Sequence, residues 1–298
     1  MYWTREKVQR RLLWFSCLLE VFRLKMMKKV LVFLLFLFLL YFQGLSQELK
    51  VLVSIPPQKE WVELIGGSWV KVQVLVPQGM DPHTYEVTPR KLQEVKGAKV
   101  YFYLGSGLEF EVVWLNKIKK INPQLEMVNC SKGVELLEGD PHVWLSLKNA
   151  EKSLLVIKET LKWHLPSFSE KIEENYKIYR KKLRELDHSI TEWTKPYRGK
   201  AFMCYHPSLG YFARDYGLKQ IAIEEGHKEP GPKTLMRKIE EAKKEKVKVI
   251  FLAPFENKKK AERIAKEIKA EIRIIDPLSE TYLLNMEKIA KDVIRALQ

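Results

Sequence analysis

"SFSEKIEENYKIYRKKLRELDHSITEWTK" occupies residues 167–195, and how it is read decides the fold. It contains neither proline nor glycine. Its apolar residues Ile172, Tyr176, Tyr179, Leu183, Leu186, Ile190 and Trp193 are spaced 4, 3, 4, 3, 4 and 3 apart. That is the stripe of one continuous helix, because a half-buried strand would repeat every second residue. At 1.5 Å per residue the segment extends roughly 40 Å, more than one small lobe needs. We therefore expect one stiff helix that packs on two bodies.

On both sides of it, strand-like and helix-like stretches alternate. Strands are expected at 49–55, 70–76, 99–105 and 125–130 before the helix, and at 200–206, 218–225, 247–253 and 271–276 after it. Helices are expected between them, around 58–67, 90–98, 109–120 and 142–164, then 208–216, 232–246, 258–269 and 280–297. Thr88-Pro89 reads as an N-cap followed by a first helical position. Such alternation implies parallel sheets covered by helices. The expected fold class is α/β. An N-terminal lobe (47–166) and a C-terminal lobe (196–298) each carry a parallel four-stranded sheet flanked by helices. The linking helix (167–195) joins them, and a cleft lies between.

The first 46 residues are set apart from that fold. Lys28 and Lys29 precede an uncharged apolar run, Val30 to Phe42, and small residues follow in Gly44-Leu45-Ser46. This is the pattern of a secretory signal peptide, with cleavage near Ser46–Gln47. The run is short for a bilayer span, and an uncleaved membrane anchor is the alternative. Residues 1–25 form an unusually long leader, and Met26 or Met27 reads as the true start. Removing residues 1–46 takes 8 of the 52 basic and 2 of the 37 acidic side chains, which leaves a net charge of +9. The lysines interleave with glutamates, as in "KKKAERIAKEIKAE", which marks solvated helix faces and no nucleic-acid stripe. Cys130 and Cys204 are a candidate pair in an oxidising compartment.

Chemistry concentrates at strand ends. "DPHTYE" (81–86) and "DPHVW" (140–144) share a tripeptide, although the chain has only six histidines. His83 follows the strand at 70–76, His142 the strand at 125–130, His206 ends the strand at 200–206, and Asp276 ends that at 271–276. All four fall beyond carboxyl ends of parallel strands, where α/β sheets place ligands, two from each lobe. Three imidazoles and one carboxylate suit Zn²⁺ better than oxygen-seeking Ca²⁺ or Mg²⁺. The adjoining prolines limit loop freedom. Asp81 and Asp140 are positioned to accept from backbone or from a histidine's second nitrogen. Trp144, Tyr211 and Phe212 read as apolar shielding. Glu86 reads as an outer partner or a helix-N-terminal charge. His164 reads as a helix-end cap or interface residue, His188 as solvated, and His227 as an accessory cation contact at most.

In order, "DPHTYEVTP", "DPHVWLS", "YHPSLGYFARDYGL", "EEGHKEPGP" and "IIDPLSETYLLNM" resemble the solute-binding proteins of zinc and manganese ABC transporters across residues 49–298. The resemblance implies two α/β lobes joined by a long helix, with the metal in the interlobe cleft held by His83, His142, His206 and Asp276. It also implies no enzymatic activity, a membrane permease with its cytoplasmic ATPase as partners, a monomer and a periplasmic location. Manganese-directed relatives often carry Glu where this chain has His206, so Zn²⁺ is favoured and Mn²⁺ or Fe²⁺ is the alternative. The zinc branch often has a histidine-rich loop before its second ligand, whereas residues 130–141 here contain none. No cysteine stands directly after the apolar run, unlike in the acylated relatives. A zinc hydrolase, with Glu86 or Glu224 as general base, and a metal-dependent adhesin are rival readings. The hydrolase lacks an HExxH helix, and Asp276 fills the position a catalytic water would need.

Overall fold

The computed structural model describes Trp14, residues 22–35, 48–226, Lys228 and residues 230–298. It divides into two units, Met1–Gln47 and Glu48–Gln298. In the first, residues 22–35 are helical (α1). Among the described residues no helix is long and apolar enough to cross a membrane. The expected cleavage point near Ser46–Gln47 lies outside the described residues, as does His227.

The second unit contains two sheets. The first is built from β1 (Leu49–Val53), β2 (Val70–Val74), β3 (Val100–Tyr103) and β4 (Glu126–Asn129), with α2 (Pro56–Gly66), α3 (Pro89–Gly97) and α4 (Glu109–Ile121) between them. The strand order is β2-β1-β3-β4, with every pairing parallel. Val51 of central β1 faces Val72 on one side and Val100 on the other. Val51, Leu52 and Val53 are all fully buried, the near-continuous apolar run of a strand covered on both faces.

The chain then passes through a 3₁₀ turn (Val143–Leu145), α5 (Leu147–His164) and α6 (Ser169–Thr194). The second sheet repeats the first in order, β6-β5-β7-β8. Its strands are β5 (Ala201–Cys204), β6 (Lys219–Ala222), β7 (Val249–Leu252) and β8 (Glu271–Ile274). Its helices are α7 (Gly210–Tyr216), α8 (Pro232–Lys244), α9 (Lys258–Ile268) and α10 (Tyr282–Leu297).

Helix α6 is the expected long helix of the α/β fold. Ile172, Tyr176, Tyr179, Leu183 and Ile190 are buried, and Leu186 and Trp193 pack on the core at its edge. It packs against α2 and α5 of the first lobe and against α7 and α10 of the second. Apolar residues of the first sheet, of α6 and of α10 form one continuous core with Phe202, Cys204 and Phe251 of the second sheet. Alternate residues Met203, Tyr205, Ile250 and Leu252 point to that sheet's opposite face and form a separate, smaller cluster.

Local chemistry explains the element ends. Thr88 Oγ1 accepts from Lys91 N, and Pro89 takes the first helical position of α3. One expectation changes beyond Pro141-His142. The helix there does not start at once, because Ser146 is extended and its hydroxyl accepts from Asn149 N at 3.1 Å, capping α5. Cys130 and Cys204 are both buried and free, so the candidate pair does not form.

Candidate metal centre

Each of three loops carries one histidine to the same point. Asp81 Oδ1 accepts from His83 N at 2.9 Å, and Asp140 Oδ1 accepts from His142 N at 2.9 Å. The repeated Asp-Pro-His therefore folds the same way twice: aspartate closes a turn on the histidine two residues on. His206 stands just past β5, whose pairing continues as Tyr205 N donates to Phe251 O at 2.8 Å.

The imidazoles converge on their Nε2 atoms. His83 Nε2 and His142 Nε2 lie 3.2 Å apart, and His206 Nε2 lies 3.3 Å from His142 Nε2. Ring centroids are 5.1 to 5.2 Å apart. His142 and His206 are buried and His83 is partly so. Each Nδ1 meets a carboxylate: Glu109 at 2.6 Å from His83, Asp140 at 2.8 Å from His142, and Glu224 at 3.0 Å from His206. A carboxylate at Nδ1 draws the proton there and turns the Nε2 lone pair inward. Three inward lone pairs in a buried pocket repel one another unless a cation lies among them. The donor set thus fits a borderline metal ion.

Burial pushes the His142 imidazole below its ordinary range, and Asp140 pulls against that. The neutral, ligating form is thereby favoured. Beside His83 and His206 lies a cavity of about 250 Å³ that also touches Tyr205, Glu224, Glu256 and Lys260. Burial raises the Glu256 carboxyl to about 7, against a hydrogen bond from Ala253 N.

The three expected histidines are brought together. Asp276 is not in their cluster. Its Oδ2 accepts from Gln78 Nε2 at 2.9 Å and its Oδ1 from Leu278 N at 2.9 Å. Asp81 serves its own loop and Asp140 serves both its loop and His142. Glu86 is exposed. Trp144 does flank the site, its ring 5.2 Å from that of His142. His164 pairs with Glu126 of β4 at 2.6 Å, and His188 is exposed. Sequence reasoning missed Glu109 as a partner and noticed Glu224 only as a hydrolase base. Their one signal is position: Glu109 opens α4 just past β3, and Glu224 stands just past β6.

The family model described as "Zinc-uptake complex component A periplasmic" (ZnuA) matches residues 51–296. The chain belongs to the ZnuA family. It is 30% identical over 256 residues to the "High-affinity zinc uptake system protein ZnuA" of Bacillus subtilis (strain 168), covering 78% of this chain and 79% of that protein. It is 28% identical to the "Zinc-binding lipoprotein AdcA" of Streptococcus pneumoniae (strain ATCC BAA-255 / R6), covering 82% of this chain and 55% of that one. The chain thus spans about half the length of that lipoprotein. Among solved structures, a crystal structure of ZnuA superposes with a TM-score of 0.81 at 34% identity, covering 85% of this chain and 100% of the other. ZnuA-family proteins are periplasmic-type binding components of a zinc-uptake complex, not enzymes. The hydrolase reading falls with that membership.

Proposed function

We propose that this chain is the exported binding protein that captures Zn²⁺ outside the cytoplasmic membrane and hands it to a permease driven by a partner ATPase. The ligands are His83, His142 and His206, with Asp276 completing the shell when Zn²⁺ draws it from Gln78. The observation that carries this reading is the convergence of three Nε2 atoms, from two buried rings and one partly buried ring, each backed by a carboxylate on Nδ1. A third imidazole at position 206 favours Zn²⁺ over Mn²⁺, which prefers oxygen donors. The basic and apolar stretch at residues 28–42 supports export, and the family supports a periplasmic site of action.

Calorimetric titration of chelator-stripped protein with Zn²⁺ is expected to show one tight site, weakened at least roughly a hundredfold in His142→Ala. Equal affinity in that variant would sink the assignment. Competition between Zn²⁺ and Mn²⁺ on the same sample is expected to leave Zn²⁺ bound.

A further inference from the structure

Residues 137–146 carry His142 and its carboxylate Asp140, and by sequence they belong to the first lobe. The second lobe holds them. Leu137 N donates to Tyr211 Oη at 2.8 Å, and that hydroxyl donates onward to Asp140 O at 3.2 Å. Asp140 also lies directly against the backbone of Gly210, where an added Cβ would fall on its Oδ2 atom. Ser146 Oγ donates to Asp215 Oδ2. Trp144 Nε1 donates to Pro277 O at 2.8 Å, and Tyr282 Oη donates to Trp144 O at 2.6 Å. Tyr211, Trp144 and Tyr282 are all buried to within 2% exposure, and the two bonds of Trp144 are shielded from water. The first lobe answers with Ser106 Oγ, which donates to Pro141 O at 2.6 Å.

His83 contrasts with this, since its carboxylate Glu109 comes from α4 of its own lobe. We propose that Gly210 and Tyr211 of α7 are positioning residues for the Asp140–His142 pair, so that the second lobe sets in space a ligand that the first lobe supplies in sequence. The inference rests on the metal-binding reading above. Gly210 lets the Asp140 carboxylate approach, and Tyr211 fixes the backbone on either side of it. Asp140 then holds His142 with Nε2 turned toward His83 and His206. Neither residue touches the metal.

The test uses the full chain in Tyr211→Phe and Gly210→Ala forms, with Tyr216→Phe as control because its hydroxyl serves Asp187 instead. Zn²⁺ affinity is read by competition with a chromophoric chelator. Co²⁺ loaded in place of Zn²⁺ reports ligand geometry through its d–d absorption. Tyr211→Phe is expected to lose roughly tenfold in Zn²⁺ affinity, the low end for outer partners of a ligand, and to shift the Co²⁺ bands. Tyr216→Phe is expected to change neither. Because Tyr211 acts through Asp140, adding Tyr211→Phe to Asp140→Asn is expected to cost little more than Asp140→Asn alone. Wild-type affinity and spectrum in Tyr211→Phe overturn the inference, and so does a loss fully additive with Asp140→Asn. Gly210→Ala is expected to match or exceed the Tyr211→Phe loss. Should Gly210→Ala fail to fold, Tyr211→Phe still decides. A wild-type protein that binds no Zn²⁺ would instead overturn the proposed function.

Discussion

Glu109, Asp140 and Glu224 do the same work from three different elements. Each takes the Nδ1 side of one histidine and leaves Nε2 for the site. Replacing any one by its amide keeps the shape but removes the charge that makes the ring a better donor. Glu109→Gln, Asp140→Asn and Glu224→Gln are each expected to lower Zn²⁺ affinity by about 10- to 100-fold, measured by chelator competition. Glu256 plays a different part. Its carboxyl rises from 4.5 to about 7, so between those values the folded metal-free protein holds a proton that the unfolded chain has released. That contribution to stability is present below pH 4.5 and is lost as pH rises through 7. Glu256→Gln stays neutral throughout and can still accept from Ala253 N. Urea unfolding of the metal-free proteins at pH 5 and pH 8 is expected to show the variant gaining on the wild type, by at most about 3 kcal/mol. A gap that does not widen with pH would refute the neutral Glu256.

Element existence was legible because it rests on local pattern. All eight strands follow from short apolar stretches alternating with helix-like ones, and the long helix from its apolar periodicity. Their ends were less legible, since other groups decide them. The strand expected to reach residue 55 stops at Val53, where Ser54 N and Ile55 N turn to Gln58 Oε1 at 3.0 and 3.3 Å. The start of α10 is the extreme case. Thr281 provides no side-chain cap, and the helix's first N–H groups donate to Glu60 on α2, Tyr282 N at 2.7 Å and Leu283 N at 3.3 Å. Tyr179 of α6 donates to the same carboxylate at 2.6 Å. No window of sequence could show a cap supplied from 222 residues away. Glu60→Ala is expected to cost about 1–3 kcal/mol in chemical unfolding, because it strands buried donors. Leu183 sits in the middle of the α6 stripe and is 1% exposed. Leu183→Ala is expected to cost about 2–5 kcal/mol in the same measurement.

At the scale of the molecule, the histidines were legible through the rule that ligands gather beyond strand ends. Which carboxylates back them was not, because Glu109 and Glu224 meet their rings only after both sheets form. The expected division of two ligands per lobe also blurs, since His142 is fixed from the far side. The same packing bears on motion. Trp61 of α2, Tyr179 of α6, Phe202 and Phe251 of the second sheet and Tyr282 of α10 belong to one core, and Trp61 meets Tyr282 edge-on at 5.0 Å. Opening the cleft by a wide hinge would expose that apolar surface at about 25 cal/mol per Å², while α6 bridges both lobes without a break. Metal release is therefore expected to proceed by small local shifts around the loops. Scattering from the metal-free and Zn²⁺-loaded protein should give matching radii of gyration. Unfolding should remain one transition in both, and Zn²⁺ at a thousandfold excess over its dissociation constant should stabilise the folded state by about 4 kcal/mol. Two separate transitions, or a radius that contracts by several ångströms on loading, would show that the shared core is not what holds the lobes together.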